Sequence, residues 1–155
     1  MAGQVRVQRD IIAEPPEVWM VLTDLDRYPK VLTSVDAVER LEGVGFEVGT
    51  RWRETRRMYG KVATEELWVA DIDPGRRVVV HTEAKGTVYE AVYEVLPSSL
   101  GTRLVITFGA ETSKASAGQR LALAVMGPLG SKAVKASLEQ DLVDFAAAVE
   151  SSHRR

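Results

Sequence analysis

The stretch RRVVVHTEAKGTVYEAVYEVL, Arg76 to Leu96, decides the fold. Two runs rich in β-branched and aromatic residues flank Lys85-Gly86, a two-residue connection of the kind that closes a tight hairpin. That turn opposes Val78 with Tyr93, Val80 with Ala91 and Thr82 with Tyr89 on one face. On the other face it opposes Arg77 with Glu94 and His81 with Glu90. Complementary charges on one side and apolar or aromatic residues on the other describe an antiparallel sheet with one wet face.

Upstream, Asp73-Pro74-Gly75 is a turn, and before it lies a second hairpin, Arg51 to Met58 and Val62 to Ile72, joined by Tyr59-Gly60-Lys61. With three residues in the loop, Trp52 faces Trp68, Glu54 faces Glu66, Arg56 faces Thr64 and Met58 faces Val62; a two-residue turn would instead oppose Trp52 to Leu67. Downstream, Thr102 to Ala110 continues the sheet, with Leu104, Ile106 and Phe108 on its inner face. At the N-terminus Val5 to Ile12 alternates Val5, Val7 and Ile11 against Arg6, Gln8 and Asp10, the period of a half-buried strand. Pro15 and Pro16 end it and suit the first turn of a short helix to about Asp24. A second short helical or turn segment, Asp24 to Leu32, is broken at Pro29. The C-terminal part is helical: Val134, Leu138, Leu142, Phe145 and Val149 form one apolar stripe that the sheet must cover. Gly127-Pro128 either kinks that helix or begins a new one.

Bulk properties narrow the function. A chain of 155 residues suits one domain with its own core, taken as residues 1–150 with a frayed tail at 151–155. The 20 basic residues nearly cancel the 22 acidic ones, for a formal charge of -2, so no broad positive field exists to collect nucleic acid. With no cysteine and two histidines, thiolate or His-rich metal sites and thiol nucleophiles drop out, and no metal or cofactor is expected. The N-terminus has no signal-peptide pattern and no apolar run approaches the ~18 residues of a membrane span. A cytoplasmic protein, monomeric or weakly homodimeric, is the expectation.

The order strand, two short helices, about six antiparallel strands and a long terminal helix resembles the START-like superfamily, also called SRPBCC, helix-grip or Bet v 1-like proteins. The resemblance reaches motif level at Pro16-Glu17-Val18-Trp19, at Asp24-Leu25-Asp26-Arg27-Tyr28-Pro29 and at Asp73-Pro74-Gly75-Arg76-Arg77. It looks closest to the polyketide cyclase/dehydrase and lipid-transport branch. It implies an α+β helix-grip fold, in which a curved antiparallel sheet of about seven strands and two short helices enclose a cavity against the terminal helix. Members use that cavity for lipids, sterols, hormones, quinones or polyketides. Lys30-Val31 departs from the usual aromatic after the tyrosine-proline pair.

Several residues carry candidate chemistry. Trp52 and Trp68, with Tyr89, Tyr93 and Phe108, either line a pocket for a small hydrophobic ligand or pack as plain core. Glu54 opposite Glu66 on an inner face would be a pair in which one carboxyl stays protonated beside an ionised base, with Arg56 neutralising one of them. The same two glutamates on a wet face would merely be solvated. They are the candidate catalytic residues, and Arg56 and Glu54 join the ligand-binding set. His81 falls outside, paired with Glu90. Arg51, Arg53, Arg56 and Arg57 are offset by neighbouring glutamates, as on a solvated face. Leu121 to Leu129, with Met126 as a further ligand-binding candidate, reads either as a flexible lid or as a buried helix end. The reading favoured is a carrier or sensor of a small hydrophobic or aromatic molecule, which needs only orienting groups. The alternatives are a polyketide cyclase, aromatase or dehydratase, which needs a convergent acid and base, and a ligand-free regulatory module.

Overall fold

The computed structural model describes residues 4–58, 60–84, 86–110 and 127–153. Strand β1 (Val5–Ile11) is followed by helix α1 (Pro15–Leu22), a 3-10 turn (Leu25–Arg27) and helix α2 (Tyr28–Val31). Six strands come next: β2 (Val35–Glu42), β3 (Arg51–Met58), β4 (Lys61–Asp73), β5 (Arg77–Ala84), β6 (Thr87–Ser98) and β7 (Gly101–Ala110). The last element is a long helix, α3 (Gly127–His153). The strands form one antiparallel sheet in the order β1-β7-β6-β5-β4-β3-β2, so β2 to β7 make a meander and β1 closes on β7. This is the α+β helix-grip arrangement expected.

Local chemistry accounts for the short elements. Pro15 and Pro16 open α1, where a missing N–H costs nothing, and the Thr23 hydroxyl donates to the Trp19 carbonyl at 2.8 Å as the helix ends. Pro29 sits in the first turn of α2 and so starts that helix, where the sequence reading had it breaking one. Register shifts in β2, and in β4 at Ala70, are bulges, which add local twist and bend to the sheet.

The stripe of α3 lies on the sheet as its spacing requires. Leu138, Leu142, Phe145 and Val149 are buried, and Phe145 meets Tyr28 edge to face at 5.9 Å. Polar contacts fix the helix along its length. Asp144 accepts from the backbone N–H and the hydroxyl of Thr33, both at 2.9 Å, and Glu150 accepts from the Ile12 N–H at 3.0 Å.

The β5–β6 register matches the sequence reading pair for pair, but the β3–β4 register does not. Met58 pairs with Lys61 and Trp52 with Leu67, so the register is that of the two-residue turn, and Gly60 has φ 77°. Glu54 therefore faces Glu65, and Glu66 and Trp68 move to the outer face. The shorter turn turns Leu67 and Val69 inward, and the Ala70 bulge then lets Ile72 join them opposite Val78. The three-residue loop would have put Glu66 and Trp68 inside and left Leu67 and Val69 on the wet side. Burial of the two aliphatic residues decides the register.

Candidate functional site

The sheet's inner face is built from cross-strand rows. One row runs Trp52, Leu67, Thr82, Tyr89 over four strands; the next runs Val69, Val80, Ala91, Phe108. Beside the first, on β3 and β4, Glu54 lies opposite Glu65. Helix α3 spans these rows but does not fill the concavity, leaving a cavity of about 340 Å³. Tyr89 and Phe108 form part of its wall, their rings stacked at 5.7 Å and only 6° apart. Trp52, 2% exposed, closes another side and packs on Phe46.

At one side the wall becomes polar. Arg56 Nε donates to Glu54 Oε2 at 3.2 Å, while its Nη1 donates to both oxygens of Asp141 on α3, at 3.0 and 3.1 Å, and to the Ser137 hydroxyl at 3.4 Å. Glu54 also accepts a long bond from the Trp52 indole N–H, 3.4 Å. Both carboxylates are buried, Asp141 at 2% exposure and Glu54 at 7%. Burial works against the Arg56 charge, but Asp141 and Glu54 outweigh it and hold the guanidinium protonated, above the usual arginine range. For Asp141 burial wins. Its carboxyl is pushed up to about 6, although Arg56 pulls it down, and Glu54 and Asp144 add to the rise.

The other titratable groups of the cavity shift the same way. Burial, then the charge of Asp141, raises the Tyr93 phenol, and burial, then Tyr93, raises that of Tyr28, whose hydroxyl donates to the Leu22 carbonyl. Glu65 is exposed as a residue, yet its carboxyl borders the cavity and is raised by that partial burial and by Glu54. Chemically, the arrangement offers an apolar slot ending in a guanidinium neutralised by two carboxylates, one of which can hold a proton near neutral pH.

Of the residues singled out in the sequence, Trp52, Glu54, Arg56, Tyr89, Tyr93 and Phe108 come together around this cavity. Glu66 and Trp68 do not. Glu66 lies 3.8 Å from Arg53 on the outer face, and Trp68 carries the Arg51 guanidinium at 4.6 Å from its ring centre and meets His81 edge-on. His81 is 3.0 Å from Glu90, outside the cavity, as the hairpin register required. Met126 and most of the Leu121 to Leu129 stretch lie outside the described residues. Asp141, Ser137 and Glu65 were missed. Asp141 had a signal: three residues after Leu138 and four before Phe145, it is a charge on the apolar stripe, and a charge there has to find a buried partner.

Among the described residues no group of three or more His, Cys, Asp or Glu side chains is placed to hold a metal ion, and no helix is long and apolar enough to cross a membrane. A family model described as polyketide cyclase / dehydrase and lipid transport matches residues 2–150. Solved structures with the same fold include the Zhui aromatase/cyclase from Streptomyces sp. R1128, at 19% identity and a TM-score of 0.74 over 95% of this chain and 93% of that one. The di-domain ARO/CYC StfQ from the steffimycin biosynthetic pathway aligns at 13% identity and a TM-score of 0.74, over 98% of this chain and 52% of that one. TTHA0849 from Thermus thermophilus aligns at 24% identity and a TM-score of 0.67, over 94% of this chain and 98% of that one. No curated protein sequence matches the chain significantly.

Proposed function

The chain belongs to the family of polyketide cyclase / dehydrase and lipid transport proteins, and on that premise we propose that it holds one small, largely apolar molecule between sheet and α3, as a carrier or sensor. The observation that carries this reading is the cavity of about 340 Å³, walled by Trp52, Leu67, Tyr89 and Phe108, with Arg56, Glu54, Glu65 and Asp141 as the charged groups among the described residues that line it. Aromatic and aliphatic walls supply contact area, and a few convergent polar groups fix orientation, which is the usual composition of a small-molecule site. Space left open under a helix that buries Leu138, Leu142, Phe145 and Val149 is costly unless something occupies it.

Trp52 is the internal reporter. Sterols, quinones and flat polycyclic aromatics are the probes, read by tryptophan fluorescence and melting temperature. Binding should change the emission in a Trp68→Phe variant, because Trp68 is on the outer face, and the change should vanish in Trp52→Phe. A ligand at about 100 times its Kd should stabilise the fold by about 2.7 kcal/mol. If no probe alters either signal, the binding role falls.

A second reading, a cyclase, aromatase or dehydratase working on a poly-β-keto chain, is favoured by one observation: the Asp141 carboxyl, pushed up to about 6, beside Arg56. A carboxylate so tuned could take a proton from a carbon between two carbonyls, with the enolate oxygen turned to the guanidinium, and return a proton as water leaves. The shared fold of the aromatase/cyclases does not decide this, since one fold hosts many chemistries. On this reading Asp141→Asn abolishes turnover of such a substrate while binding persists; on the carrier reading there is no turnover to lose.

A further inference from the structure

Resting on the binding role proposed above, we propose that the cavity is a charge filter, admitting neutral molecules whose polar end is a hydroxyl group and rejecting carboxylates of the same size. Among the described residues that line it, the charged ones are Glu54, Glu65, Asp141 and Arg56: three acids against one base. The base is already committed. Arg56 gives Nε to Glu54 and Nη1 to Asp141 and Ser137.

An anionic head group could take the guanidinium as its own counter-ion only by displacing one of these carboxylates, which would then stay buried without its partner, the costliest state for such a group, and at the remaining Nη2 it would meet a charge already neutralised by Glu54 and Asp141. It would also sit among like charges. A hydroxyl needs no displacement. A carboxylate has about four lone-pair positions, so Glu54 and Asp141 can accept a further bond from an alcohol or phenol. Arg56 Nη2 makes no hydrogen bond to a described residue and can donate to the same oxygen. A hydroxyl is donor and acceptor at once and fits both; a carboxylate can only accept.

The filter should be sensitive to acid. The groups that face Asp141 are Glu54 and Arg56 from β3, Tyr93 from β6, Tyr28 from α2 and Asp144 on its own helix, with Glu65 of β4 beside Glu54. Burial pushes Asp141 up to about 6 and also raises Glu65, so falling pH removes negative charge from the cavity and loosens the hold on Arg56.

Calorimetric titration with matched probes tests this: 2-naphthol against 2-naphthoate, 1-octanol against octanoate, and naphthalene-2-sulfonate as an anion that acid does not neutralise. At pH 8 the hydroxyl member of each pair should bind at least about tenfold more tightly than its carboxylate. Between pH 8 and pH 5.5 the sulfonate should gain affinity while naphthol does not, and Asp141→Asn should give the sulfonate the same gain at pH 8. A carboxylate that binds at pH 8 as tightly as its hydroxyl partner overturns the filter and leaves the binding role standing. If none of the five probes binds, and the sterol and quinone probes are equally silent, the binding role itself falls and takes the filter with it.

Discussion

Replacing Asp141 by Asn should make the protein more stable at neutral pH, against the usual outcome of breaking a buried ion pair. The wild-type carboxyl is raised from an ordinary 3.8 to about 6. Between those values the native state keeps a proton that the unfolded chain has released, so stability is highest below 3.8 and falls as pH rises through 6. At about 1.4 kcal/mol per pH unit, the ionised side chain costs the fold about 3 kcal/mol at pH 8 and only about 1 kcal/mol at pH 4.5. Asparagine has nearly the same shape and resembles the protonated acid. Arg56 keeps Glu54 as its counter-ion at 3.2 Å, so its charge is not stranded. The variant should therefore exceed the wild type by about 3 kcal/mol at pH 8, or about 6–12 °C in Tm for a chain of this size, with the gap closing towards pH 4.5. Urea unfolding across that range is the assay. The opposing expectation is that removing one member of a buried pair costs about 3–5 kcal/mol. A variant less stable than wild type at pH 8, or a gap that does not change with pH, would refute the reasoning.

Two further substitutions probe the frame that holds the cavity. Gly101 has φ 131°, and a Cβ there would lie 2.5 Å from the Ala13 carbonyl oxygen, so Gly101→Ala should cost at least about 1–3 kcal/mol in urea unfolding; a loss below about 0.5 kcal/mol would mean that the β6–β7 turn yields freely. Phe145→Ala removes a side chain 2% exposed that packs on Tyr28, and should cost about 3–5 kcal/mol while enlarging the cavity. Calorimetric unfolding reads the loss, and a near-neutral result would show that α3 does not seal the core at that point.

Most of the fold was legible because it is written in local periodicities. The β5–β6 hairpin carries its turn, its apolar face and its complementary charges within 20 or so residues, and the α3 stripe keeps helical spacing from Leu138 to Val149. The β3–β4 register was harder. Tyr59-Gly60-Lys61 supports either loop length by turn chemistry alone, and the deciding evidence, inward burial of Leu67, Val69 and, past the bulge, Ile72, is interrupted at Ala70. A sliding window of period two loses count there. That one-residue difference exchanged Glu66 for Glu65 as the partner of Glu54 and carried Trp68 out of the cavity. The pair named from the sequence, Glu54 with Glu66, does not form, and Glu54 faces Glu65 instead.

The pairing at the polar centre lay beyond any local pattern, because Arg56 and Asp141 are 85 residues apart and meet only when α3 closes on the sheet. Its energetics say why such a centre exists. Apolar side chains of similar volume at Glu54, Arg56 and Asp141 would be neutral or stabilising, since the desolvation of three charges exceeds much of what their pairing returns. The stripe of α3 offers that solution on either side, with Leu138 and Phe145 already in place. A chain selected for stability alone has no use for an aspartate between them that is held ionised at a cost of about 3 kcal/mol. The charge is useful if something enters the cavity and touches it, and an occupant that can donate a hydrogen bond to it gains most from finding it there.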